Sequence, residues 1–390
     1  MSFHFQEFLS KEINLLREEG LLRELKTIHG AQGPWVDLGG RRTLLLCSND
    51  YLGLASDHQV TGAFTSGVEE FGTGSGASRL ISGNRSPHEG LEKAIAQFKG
   101  TESALLFNSG YHANIGAIPA LFGEGDLILS DELNHASLID GCRLSKARVL
   151  KYPHKDCASL KKMLRENSGC KKKLVLTDGV FSMDGDIAPL PGIVELAGQF
   201  EAVVMVDDAH ATGVLGPGGK GTLGHFGLEP DCVDIQMGTL GKALGCFGAF
   251  VAGKKELTQF LTNKARSFIY TTALPPALAA AACKALEIAG RDQCRRDRLW
   301  ENVRFFKEGL EKLGFDIMGS ETPIVPIFIG DPVKTMKISA CLLEKGLFVQ
   351  GIRPPSVPEG KSRLRAALSA SHTMEDLEFA LEVIENVGIN

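Results

Sequence analysis

No apolar run in this sequence approaches the ~20 residues that a membrane-crossing helix requires, so a helical membrane protein is excluded. The nine cysteines are scattered and include no C-x-x-C pair, which leaves no pattern for zinc or redox work and points to reduced, mostly buried thiols. Positive charge is not in excess. A net charge of -5 argues against a general nucleic-acid binder. The first thirty residues lack the basic start and clean apolar stretch of a signal peptide. No internal repeat or low-complexity linker interrupts the chain. The expectation is a cytoplasmic protein with no metal, no nucleic-acid partner and no membrane partner.

What is present is an ordinary globular composition, 43% hydrophobic and 23% charged, on 390 residues. That length suits a large core with a smaller satellite, because single cores stop growing near ~250–300 residues. Residues 1–50 read as an opening helix and hairpin, 51–285 as a large α/β domain and 286–390 as a small α+β domain. From Phe3, apolar residues (Phe5, Phe8, Leu9, Ile13, Leu16) recur at helical spacing, with a break near Gly20. Trp35–Leu38 and Thr43–Leu46 flank Gly39-Gly40, the signature of a tight hairpin. Six short apolar runs follow: Ala104–Phe107, Leu127–Leu129, Leu174–Leu176, Val203–Val206, Ile235–Met237 and Ala249–Val251. Strands apolar on both faces suit a largely parallel sheet covered by helices on each side. Beyond residue 285 the pattern predicts a long charged helix from Gln293 to Leu313, strands around Pro323–Ile329 and Arg363–Leu368, and a last helix from Met374 to Val387.

Ligands of open parallel sheets sit beyond the carboxyl ends of the strands, so the residues after each run are the ones to inspect. The fourth run ends in Asp207-Asp208-Ala209-His210; an aspartate there also reads as a turn cap. The fifth ends in Gly238-Thr239-Leu-Gly241-Lys242, and no other charge lies between Ile235 and Gly253. An ammonium in such apolar company points into a site, where desolvation lowers its pKa and favours Schiff-base chemistry. Pyridoxal phosphate fits the neighbours. Asp207 can keep the pyridine nitrogen protonated, and His210 can contact the ring oxygen. Asn108-Ser109-Gly110-Tyr111 opens a helical stretch whose amides can receive a phosphate, and Thr239 adds a hydroxyl. His135 follows another strand end, where it stacks on the ring or serves as a packed cap. Ser182 follows the third run and can bond the cofactor or the substrate. Gly72–Gly76 and Gly216–Thr222 lack the spacings of dinucleotide and phosphate-binding loops and read as close turns.

Eight ordered strings carry a resemblance: Asn49–Leu54, Gly76–Asn84, Phe107–Asn114, Asn134–Gly141, Thr177–Leu190, Val206–Gly216, Gly238–Gly245 and Tyr270–Pro276. Together they are similar to the motifs of the α-oxoamine synthases, pyridoxal-phosphate enzymes that join an amino acid to an acyl thioester with loss of CO2. The resemblance implies fold type I, the aspartate-aminotransferase-like α/β fold, with Lys242 as the cofactor-bearing lysine. It also implies a homodimer in which Thr271 or Thr272 reaches the phosphate of the neighbouring subunit. The tail from Gly351 to Arg365 resembles that of the biotin-pathway branch, which implies L-alanine and a pimeloyl thioester, on CoA or a carrier protein, as substrates. The glycine acetyltransferase branch and a non-catalytic paralogue are the alternatives. Arg365 matches the arginine that pairs the amino-acid carboxylate, with Asn49 also on the substrate side. Arg353 and Arg23 match positions on the acyl side, where each also reads as a surface arginine. Position 178 departs from the pattern, being Asp where some members carry Glu.

Overall fold

The computed structural model describes residues 4–388. Phe3, where the sequence pattern starts the opening helix, lies outside the described residues, as do residues 389 and 390 at the chain's end. The helix itself runs Phe5–Glu18, and none of its residues is buried. Three strands follow, β1 (Ile28–His29), β2 (Trp35–Leu38) and β3 (Arg41–Leu45). Leu38 pairs with Arg41, so the β2–β3 turn holds two residues only, and Gly39 and Gly40 take φ of 63° and 82°. Both angles are open to glycine and strained for other residues.

The large sheet contains β4 (Ser103–Phe107), β5 (Leu127–Asp131), β6 (Arg148–Tyr152), β7 (Lys173–Asp178), β8 (Val203–Asp207), β9 (Ile235–Thr239) and β10 (Ala249–Gly253). Their order is β4-β10-β9-β8-β7-β5-β6. Only β10 runs against its neighbours β4 and β9; the remaining pairings are parallel. All six apolar runs are strands of this sheet. β6 escaped the sequence reading because it is an edge strand with charged Arg148 and Lys151 exposed to water, so its apolar content is diluted.

The C-terminal part holds β11 (Ile324–Gly330), β12 (Leu347–Phe348), β13 (Gln350–Ile352) and β14 (Ser362–Ala367). β14 lies between β11 and β13, antiparallel to both. β12 pairs instead with β3 of the hairpin, in parallel, and the Ala367 amide donates to the Leu46 carbonyl at 2.8 Å. β12 thus completes the hairpin's sheet, and the Ala367–Leu46 bond ties that sheet to the three-stranded one. The helices Gln293–Lys312 and Met374–Val387 pack on these sheets through Leu299, Phe306, Leu377 and Ile384, all fully buried.

One polar cluster ties the edge of the large sheet to the segment after β7. His154 places its ring nitrogens 3.0 Å from Asp131 Oδ1 and 2.9 Å from Asp186 Oδ2. Burial alone would lower the imidazole's pKa, but the two carboxylates outweigh it and raise the value to about 9. A group raised in the folded state contributes fully below its ordinary value, near 6.5, and loses that contribution as pH climbs through 9. Thermal melts should therefore show stability falling by on the order of 2–3 kcal/mol between these limits. His154→Gln should flatten that slope, and a variant that melts with the parent's pH dependence would place its origin elsewhere.

Candidate active site

The carboxyl ends of β4, β5, β7, β8 and β9 converge on a cleft of about 170 Å³. An apolar cavity of roughly 150 Å³ takes one six-membered aromatic ring. Lining it are Gly110, Tyr111, His135, Ser182, Asp207, His210, Thr239 and Lys242, each expected from the sequence, together with Ser137 and Asp178. Lys242 stands on the loop after β9, whose course depends on Gly245. This glycine has a φ of 61°, and a Cβ there would come within 2.2 Å of the Ala55 amide. Only a residue without a side chain lets the lysine loop lie against the segment 49–55.

Burial lowers the Lys242 pKa to about 8, despite the opposing pull of Asp207 and Asp178. Its Nζ lies 2.7 Å from Nε2 of His210. His210 is buried, and desolvation first, then the Lys242 charge, holds it well below the usual imidazole range. Asp207 closes the floor at the end of β8. One oxygen accepts from the Ala209 amide at 3.0 Å, the other from Asn114 Nδ2 at 2.8 Å. Burial pushes this carboxyl up and the Lys242 ammonium draws it back. Asn114 also donates to Ser137 Oγ at 2.9 Å, and its own carbonyl oxygen has no hydrogen-bond partner.

His135 caps the helix Ala136–Ser145, with Nδ1 accepting from the Ser137 amide at 3.2 Å. Its own amide donates to Asp178 Oδ2 at 2.7 Å. Burial and the Asp207 charge hold the Asp178 carboxyl well above its ordinary range. Ser109 is the N-cap of the helix Gly110–Leu121, its Oγ accepting from the His112 amide at 3.2 Å. The first-turn amides of such a helix are donors suited to an anion. Thr239 accepts from the Gly241 amide and donates to the Gly248 carbonyl. Thr271 and Thr272 do not line the cleft; Asn108 Nδ2 donates to Thr271 Oγ1 at 3.2 Å and to the Thr272 carbonyl at 2.9 Å.

β14 brings the C-terminal part of the chain to the site. Residues two apart on a strand share a face, so Arg363 and Arg365 both reach the loop after β7. Arg363 pairs with Asp184 at 2.5 Å, and Arg365 donates Nε–H to the Ser182 carbonyl at 2.5 Å. Arg365 Nη2 also donates to Asn49 Oδ1 at 3.1 Å. Arg23 and Arg353 lie elsewhere, in a second cleft of about 630 Å³ between residues 21–26 and the segment 348–356. There Arg353 Nη2 donates to the Gly20 carbonyl at 2.6 Å. Sequence reasoning gave no role to Tyr51, Asn114 or Ser137. All three sit inside the strings that carry the resemblance, which is the available signal, but the partners of Tyr51 and Asn114 stand 159 and 93 residues away.

A desolvated amine facing a buried carboxylate, with a helix N-terminus beside them, holds an aldehyde cofactor that carries a basic ring and an anionic tail; this is the class that fold and site define. The chain belongs to the aminotransferase class I and II family, which it matches over residues 41–384. It is similar to the 8-amino-7-oxononanoate synthase of Citrifermentans bemidjiense, 54% identical over 97% of both chains. The enzyme of that description from Geobacter sulfurreducens is 52% identical over the same shares. Among solved structures, a serine palmitoyltransferase variant from S. paucimobilis with bound PLP–myriocin superposes with a TM-score of 0.94 at 32% identity, covering 99% of this chain and 98% of that one. The 8-amino-7-oxononanoate synthase of Francisella tularensis gives 0.76 at 30% identity, over 87% and 96%. Among the described residues, no helix is long and apolar enough to cross a membrane, and no cluster of side chains could hold a metal ion.

Proposed function

We propose that the chain condenses L-alanine with a pimeloyl thioester, on CoA or on a carrier protein, to give 8-amino-7-oxononanoate, CO2 and free thiol, a step of biotin biosynthesis. The reading rests on near-full-length relatives above 50% identity, together with a cleft lined by Lys242, Asp207 and His210, against which Arg365 bonds the carbonyl of the lining residue Ser182. The likeness to serine palmitoyltransferase, at 32%, supports fold and cofactor; the choice of substrates follows the nearer relatives.

The cofactor is pyridoxal 5'-phosphate, which supplies an aldehyde for a lysine and an electron-drawing ring for the amino acid's α-carbon. Lys242 would carry it, and its amine, with a pKa of about 8, is suited to taking the proton from the amino acid's α-carbon. Asp207 would keep the ring nitrogen protonated, and His210 would face the ring oxygen. His135 would flank the ring and Ser182 would bond the ring oxygen or the substrate. Ser109, Gly110, Tyr111 and Thr239 would hold the phosphate. Arg365, with Asn49, takes the carboxylate of alanine. Arg353 and Arg23 bind the acyl side. The enzyme works in the cytoplasm as a homodimer, with Thr271 or Thr272 reaching the phosphate of the neighbouring subunit.

Steady-state assays with pimeloyl-CoA, acetyl-CoA and palmitoyl-CoA, each with alanine, glycine and serine, test the reading. Turnover should be greatest with pimeloyl-CoA and alanine. A strong preference for acetyl-CoA with glycine would replace the biotin-pathway reading. Arg365→Ala should raise the KM for alanine about 30- to 100-fold, the scale of a lost charge-assisted bond, while the bound cofactor keeps its colour. Loss of the colour instead would move Arg365 from the substrate to the cofactor.

A further inference from the structure

Beside Asp207 stands a polar side chain that the roles above leave unused. Asn114 is fully buried on the helix Gly110–Leu121, among Ala113, Gly116 and Ala117. Its Nδ2 lies 2.8 Å from Asp207 Oδ2 and 2.9 Å from Ser137 Oγ, one partner for each N–H. Directions along this series follow from the one donor whose proton cannot move. The Ser137 backbone amide donates to His135 Nδ1 at 3.2 Å, which makes that nitrogen an acceptor. Burial holds His135 below the usual imidazole range against the pull of Asp207, so the ring is neutral and its one proton sits on Nε2. The Ser137 hydroxyl, 2.7 Å from the same Nδ1, therefore gives its proton there and turns its lone pairs to Asn114. Asn114 must present its amino group to both neighbours, because reversing the amide would set oxygen against oxygen at each. Its own Oδ1 is left without a partner. An unpaired buried oxygen costs stability, which marks the orientation as one that Ser137 and Asp207 impose. The frame is tight: a Cβ at Gly141 would come within 2.9 Å of the Asn114 carbonyl oxygen, so the helix Ala136–Ser145 lies directly on the Asn114 backbone.

We propose that Asn114 is a positioning residue: aimed by Ser137, it donates to the carboxylate of Asp207 and holds it as the acceptor for the ring nitrogen of the cofactor. The inference rests on the proposed reading, in which Asp207 keeps that nitrogen protonated. A carboxylate and a ring nitrogen compete for one proton, and hydrogen bonds that stabilise the carboxylate leave the proton on the ring. The Ala209 amide supplies one such bond and Asn114 the other. Lys242 and His135 also bear on Asp207, both favouring its ionised form. Asp178, its register partner on β7, is the neighbouring acid and opposes it, as does burial. The Asn114 donor thus acts where the opposing influences are strong. An amide does so without adding a second amine to a site whose chemistry turns on one.

The test uses Asn114→Leu, which nearly keeps the volume and removes the donor; Asn114→Ala removes it without adding a branch and serves if the first variant does not accumulate. In protein without cofactor, 13C spectra of carboxyl-labelled aspartate, with Asp207→Asn for assignment, follow the titration midpoint of Asp207. A carboxylate deprived of a donor binds its proton more tightly, so the midpoint should rise by about one to two units, the equivalent of one hydrogen bond to a charged group. In protein loaded with pyridoxal phosphate carrying 15N in its ring, the ring nitrogen should move toward its unprotonated shift. The turnover number should fall about 10- to 100-fold, the scale on which an outer partner of a functional side chain acts, with the KM for alanine little changed. A purely structural Asn114 would lower the melting temperature and leave the Asp207 midpoint where it was; that result overturns the proposal, as does a midpoint that falls. A parent that takes up no pyridoxal phosphate would instead remove the functional reading, while the Asp207 midpoint would still decide whether Asn114 holds the carboxylate.

Discussion

Lys242→Ala is expected to lower turnover by on the order of 10⁴-fold or more, because on the proposed reading one side chain supplies both the covalent anchor and the proton-transfer group. The cleft has no second lysine among its lining residues. Borohydride treatment of the cofactor-loaded parent should add the mass of the reduced cofactor to the peptide containing Lys242. The alanine variant should gain none. The sign of the effect follows from electrostatics: desolvation lowers the amine's pKa to about 8, so a useful fraction is unprotonated near neutral pH and able to attack a carbonyl carbon. Label appearing on the variant would mean that another amine carries the cofactor.

Asp207→Asn should be the second most damaging change. Asparagine keeps the shape and can still accept from the Ala209 amide, but its amino end meets the donating Asn114 amide, and it has no charge to hold a proton on a ring nitrogen. Turnover should fall by about 10²- to 10⁴-fold, the usual span for loss of a protonic contribution, while the visible band and borohydride labelling persist because Lys242 is intact. Asp207→Glu, which restores the charge with a longer reach, should recover part of the loss. Equal damage in both variants would trace the effect to packing at the strand end.

The contrast between these residues and the less obvious ones shows what a linear reading captures. Asp207 ends β8 and Lys242 follows the end of β9 by three residues, and a charge so close to a buried run is conspicuous whatever the tertiary structure. The six apolar runs and the last helix were legible for the same reason: their burial is uniform or strictly periodic. Tyr51 offers no such contrast. It lies in a turn held by Asp50, whose carboxylate accepts from the Leu54 amide at 2.8 Å, and its meaning comes from His210, far along the chain. Asn114 likewise reads as an ordinary polar residue in an apolar helix until Asp207 and Ser137 are placed against it. β12 and β13, two and three residues long, are too short to show a period, and their pairing depends on partners elsewhere in the chain.

The pairing of β3 with β12 also bears on how the protein is made. Leu44 and Leu347 are neighbours in the finished sheet, yet about three hundred residues separate them in synthesis. At roughly 5–20 residues per second, the hairpin waits on the order of half a minute beside the ribosome for its partner strand. During that interval the parallel sheet carrying Lys242 and Asp207 can assemble, while Arg365, still untranslated, cannot. The emerging chain therefore gains Lys242 and Asp207 before Arg365, and the proposed amino-acid site is complete only once β14 has been made.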